Sequence, residues 1–69
     1  MYRSKKRFLR LAKVVDRTGK SRSAVYRDMA NNQFPASIKT GENTVAWLES
    51  DIDDWIDSRI AASSREVID

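Results

Sequence analysis

The chain contains neither cysteine nor histidine. Their absence excludes disulfide frameworks, zinc fingers with Cys or His ligands, thiol nucleophiles and histidine-based catalytic triads. Long apolar runs are also missing: none approaches the ~20 residues of a membrane span, and the basic N-terminus lacks the apolar stretch of a signal peptide. The expectation is a soluble intracellular domain. Aromatic residues make up only 9% and hydrophobic residues 41% of 69 positions, so a single small domain with a thin core is the most the chain can build. Charged residues reach 33%, which suits a small globule with much surface.

The charge is unevenly placed. Residues 1–41 hold eleven Lys/Arg against two acids, Asp16 and Asp28, whereas residues 42–69 hold eight acids against Arg59 and Arg65. A basic half joined to an acidic half suggests one face for a polyanion and another turned away from it. The plainer alternative is a solvated surface with ion pairs between the halves.

Residues 1–7 carry four basic side chains and little to bury, and read as a flexible basic arm. From Leu11 to Arg17 the apolar positions Leu11, Ala12, Val14 and Val15 have the spacing of a short helix face. Gly19 stands where a helix C-cap favours a left-handed residue, and Ser21 is a good N-cap for a second helix over about residues 22–31. Val25 and Met29 mark the buried stripe of that helix. Phe34-Pro35 ends any helix, because a residue before proline avoids the α region. Two short extended runs, Ser37–Thr40 and Thr44–Trp47, flank Gly41-Glu42-Asn43 and predict a hairpin with a three-residue connection. Ser50 is then expected to cap a third helix, with Asp53 completing a variant capping box and with Ile52, Trp55, Ile56 and Ile60 on the apolar stripe. Residues 63–69 read as a frayed tail.

The order is arm, helix, tight turn, helix, hairpin, helix. The predicted fold is mainly α with a small β-hairpin, a winged helix-turn-helix over residues 8–62. On a helical wheel Ser23, Arg27 and Ala30 oppose Val25 and Met29, with Tyr26 on a flank. Small outward residues let a helix enter the major groove, where Arg27 has the planar fork to bond a guanine edge. Arg22, at the positive helix terminus, suits a phosphate, and the free amides there assist. The hairpin offers Lys39, Thr40, Asn43 and Thr44 to the backbone or minor groove, and the arm offers Lys5, Lys6 and Arg7. Trp47 and Trp55 fall in phase with the apolar positions, and a core role is expected for both rather than base stacking.

Arg7-Phe8-Leu9-Arg10, Val14-Val15, Thr18-Gly19, Ser21-Arg22-Ser23, Val25-Tyr26-Arg27, Phe34-Pro35, Gly41, Ala46-Trp47 and Ile52-Trp55-Ile56, in this order, resemble the AlpA family of phage and prophage regulators. The resemblance runs from about Arg7 to Ile60. It implies a compact MerR-like winged helix that binds double-stranded DNA, either as a transcriptional regulator of an integrated element or as an excisionase that biases an integrase toward excision. Carried over by position, Ser21, Arg22, Ser23, Tyr26 and Arg27 would contact DNA, and Gly41 would shape the wing. It also implies a cytoplasmic, nucleoid-associated place in a bacterium, with a phage-type integrase as a further partner. Three positions depart from the pattern. Lys20 stands where an aliphatic residue is usual, Asn32 where glycine is common, and Asn43 where the wing often carries arginine. MerR proteins dimerise through a long C-terminal helix; the last helix here is expected to be too short, leaving a monomer or a cooperative assembly on DNA.

A competing reading is a protein-interaction adaptor that docks through the acidic last helix. An enzyme is not expected. Asp51, Asp53, Asp54 and Asp57 imitate a carboxylate metal site only superficially, since they lie on one exposed helix face with no pocket wall, and no cofactor is implied.

Overall fold

A computed structural model describes residues 6–67, with side chains from 6 to 63. The elements in chain order are β1 (Phe8–Leu9), α1 (Leu11–Thr18), α2 (Arg22–Ala30), β2 (Ile38–Gly41), β3 (Thr44–Leu48) and α3 (Glu49–Val67). The result is a mainly helical small domain in which three helices accompany a three-stranded antiparallel sheet of order β1-β3-β2. Among the described residues, no helix is long and apolar enough to cross a membrane.

The turn between α1 and α2 follows from local chemistry. Gly19 adopts φ 74°, and its N–H donates to the Val15 carbonyl at 2.9 Å. A Cβ there would meet nothing within 4 Å, so backbone conformation rather than space calls for glycine. Ser21 is extended, and its hydroxyl accepts from the Ala24 N–H at 3.1 Å, satisfying one free amide of α2. After α2, Asn32 takes φ 59°, a left-handed geometry that asparagine tolerates.

The core is formed by Leu9, Val14, Val25, Phe34, Trp47 and Ile52, with Leu11, Val15, Met29, Val45, Trp55 and Ile56 packed against it. Trp47 is fully buried, as expected, while Trp55 is only half-buried. Both indoles clasp the segment that follows α2. Trp47 Nε1 donates to the Pro35 carbonyl at 3.1 Å, and Trp55 Nε1 donates to the Gln33 carbonyl at 3.2 Å. Phe34, between those two carbonyls in the chain, is buried and lies edge-on to Trp55 at 5.0 Å.

Several expectations need correction. Phe8 and Leu9 form a third strand, with Phe8 opposite Leu48 and Leu9 opposite Trp47. The hairpin turn has two residues, Glu42-Asn43, not three. An irregularity between Lys39 and Gly41 brings Gly41 into register with Thr44. Gly41 has no positive φ, and a Cβ there would sit 3.6 Å from Thr44, an ordinary contact, so this glycine does not shape the hairpin through special geometry.

Ser50 is not the cap of α3. That helix begins at Glu49, directly after β3, and the Glu49 N–H donates to the Arg7 carbonyl at 2.8 Å. A main-chain acceptor from the residue just before β1 thus does what a serine hydroxyl was expected to do. Asp53 is taken by Arg17 rather than by a capping box. The helix also continues through Val67, past the point where a frayed tail was expected, because no glycine or proline follows Gly41 to stop it.

Candidate nucleic-acid interface

α2 is fixed by Val25, which is fully buried, and by the half-buried Met29. Its opposite side presents Ser23, Arg27 and Ala30, all exposed as the wheel predicts. Tyr26 is 44% exposed and its ring meets Trp47 edge-on at 6.3 Å, so the flank of α2 rests on β3. Arg22 is exposed at the first turn, beside free backbone amides. Ser21 has its hydroxyl engaged in capping, which makes it first a structural residue of the helix start.

On the hairpin, Lys39, Thr40, Glu42 and Asn43 are exposed. Thr44 is half-buried, and its carbonyl accepts from the Thr40 hydroxyl at 3.4 Å. Of the arm residues, Lys5 lies outside the described residues and Lys6 is exposed. Arg7 is not free. Its carbonyl holds the start of α3 and its guanidinium lies 3.8 Å from Glu49.

The ion pairs divide the basic residues into two groups. Arg17 bridges Glu49 at 2.8 Å and Asp53, tying α1 to α3 across the basic and acidic halves of the chain. Lys20 pairs with Asp28 at 2.5 Å, and Arg27 Nε lies 3.3 Å from the other oxygen of the same carboxylate. These partners, Lys20 above all, hold the Asp28 carboxyl below its ordinary pKa against an opposing contribution from desolvation. By contrast, Lys6, Arg10, Lys13, Arg22 and Lys39, together with Arg59 on α3, make no ion pair with another described residue. Arg10 and Arg22 border a shallow depression floored by Leu11, Ala12 and Val15 between the starts of α1 and α2. Sequence reasoning missed Arg10 as a neighbour of Arg22, since only the helix pairing brings them together. It also missed the Lys20–Asp28 pair.

Residues 7–60 match the family described as prophage CP4-57 regulatory protein (AlpA). The chain belongs to the AlpA family. It is 37% identical to the uncharacterized protein ORF88 of Enterobacteria phage P4 over 62 residues, covering 90% of this chain and 70% of that protein. It is 36% identical to the DNA-binding transcriptional activator AlpA of Escherichia coli K12 over 64 residues, covering 83% of this chain and 90% of that protein. No solved structure matches it significantly. Two of the three positions expected to depart from the family pattern have a physical account. Asn32 meets the left-handed requirement that glycine would otherwise meet. Lys20, in place of an aliphatic residue, is only 19% exposed in its side chain because Asp28 neutralises it and two aromatic rings lie beneath it.

Proposed function

We propose that the protein binds double-stranded DNA sequence-specifically as a winged helix-turn-helix and regulates transcription from an integrated phage-like element. α2 is its recognition helix and the β2–β3 hairpin its wing. The observation that carries the reading is the outward side of α2, where Arg27 stands as a long exposed donor among the small residues Ser23 and Ala30. A side of that shape fits the major groove, and an arginine fork matches the two acceptors of guanine. Membership of the AlpA family supports it, as does the name of the E. coli relative. That relative is described as a transcriptional activator, so transcription is assigned ahead of excision. As a regulator of this kind it acts on bacterial DNA in the cytoplasm.

The phosphate-neutralising set is drawn from the basic residues before α3 that make no ion pair with another described residue: Lys6, Arg10, Lys13, Arg22 and Lys39. If these five each neutralise one phosphate, log affinity should fall against log salt with a slope of about −4 to −5. Fluorescence anisotropy on DNA from upstream of the chain's own gene, with a scrambled duplex beside it, measures both slope and specificity. Arg27→Ala should cost about 1–3 kcal/mol on the cognate duplex and much less on the scrambled one. A slope near zero on both duplexes overturns the reading. The adaptor alternative would then be tested by reversing the charges of Asp54 and Asp57 and assaying partner capture. An excision assay with a neighbouring integrase separates regulation from a role in recombination.

A further inference from the structure

Asp28 is an anomaly on a helix that faces a polyanion. It adjoins Arg27, its side chain is 18% exposed, and an unpartnered carboxylate there would repel DNA. Its surroundings account for it. One oxygen, Oδ2, lies 2.5 Å from Lys20 Nζ, and the other, Oδ1, accepts from Arg27 Nε at 3.3 Å. The Lys20 ammonium is itself fixed from several sides, lying 5.4 Å from the Trp55 ring centroid and 5.9 Å from that of Phe34. The carboxylate is therefore clamped on its inner oxygen and presents the outer one in a set direction.

Resting on the reading of α2 as the recognition helix, we propose that Asp28 is a positioning residue, which orients Arg27 for end-on reading of a guanine and is held in that task by Lys20. The Arg27 side chain is 66% exposed and, untethered, would sample many rotamers whose loss opposes binding. A bond through Nε restricts that freedom while leaving both terminal nitrogens free. Those two nitrogens are the pair that matches guanine O6 and N7. The cluster retains one net positive charge, carried outward by Arg27, because Lys20 cancels Asp28. The lysine in the inter-helix turn is thus a part of the reading apparatus, although it lies beneath the outward side of α2 and not on it.

The test is a double-mutant cycle on the ratio of cognate to scrambled affinity, with circular dichroism melts to verify folding. Asp28→Ala should lower the ratio about three- to tenfold, with scrambled-DNA affinity unchanged or raised by loss of the negative charge. In an Arg27→Ala background the same change should not lower the ratio further. Asp28→Asn, which keeps an acceptor oxygen facing Arg27, should retain most of the ratio. If Asp28→Ala leaves Lys20 unpaired and the chain unfolded, Lys20→Met combined with Asp28→Ala removes both charges and should show the same drop in ratio. An equal loss on both duplexes, or an undiminished effect in the Arg27→Ala background, overturns the proposal. Arg27→Ala with an effect that the Asp28 variants lack overturns the positioning role alone; Arg27→Ala without any effect overturns the base-reading role and the positioning role together.

Discussion

Replacing Trp55 by alanine removes three distinct contributions. The edge-on packing against Phe34, at 5.0 Å and 64°, is worth about 1 kcal/mol beyond area. The indole N–H bond to the Gln33 carbonyl adds about 1 kcal/mol, and burial of half the ring contributes about 1–2 kcal/mol. The sum, about 3–4 kcal/mol, lies at the lower end of the range for aromatic truncations, as fits a ring that is not fully covered. A domain of this length has about 3–10 kcal/mol in all, so Trp55→Ala should remove from about a third to all of its stability. Trp55→Phe keeps a ring against Phe34 but leaves the Gln33 carbonyl without its donor. It should cost about 1–2 kcal/mol, which lowers Tm by roughly 5–12 °C. Circular dichroism melts and urea titrations of both variants measure this. A Trp55→Ala protein that melts like the wild type would refute the reasoning, and the same protein with lost DNA binding would make the ring a stacking residue instead.

Ser21→Ala should destabilise by about 1 kcal/mol through loss of the acceptor for the Ala24 N–H, and Ser21→Asp should restore most of the melting temperature. Arg17→Ala breaks the bridge between α1 and α3; with side chains exposed by a quarter to a half, the cost should be no more than about 1 kcal/mol. Urea titrations at low and high salt check it, and a cost that does not shrink with salt would count against an electrostatic origin. The Asp28 carboxyl has its folded pKa below the ordinary 3.8, so its contribution to stability is present above that value and is lost as pH falls through the lowered one. Acid melts should therefore be less steep for Asp28→Asn below about pH 4, and an unchanged acid limb would remove Asp28 from the account.

The sequence was most informative wherever the controlling chemistry was local. Gly19, Ser21 and Asn32 each mark a backbone event that depends on a few neighbouring atoms, and the turn between α1 and α2 and the exit from α2 follow from them. The stripe of Val25 and Met29 likewise determines which side of α2 faces outward, because helical geometry alone relates those positions. Tertiary structure decided what depends on partners distant along the chain. β1 is a strand only because two residues find the edge of β3, and α3 starts at Glu49 only because the Arg7 carbonyl receives its amide. The same holds for charge. Composition determined a basic and an acidic half, but the contacts of Arg17 with Glu49 and Asp53, and of Asp28 with both Lys20 and Arg27, decided which cations are spent within the fold. Side-chain ion pairs form between groups that folding brings within a few ångströms, and sequence separation does not encode that distance.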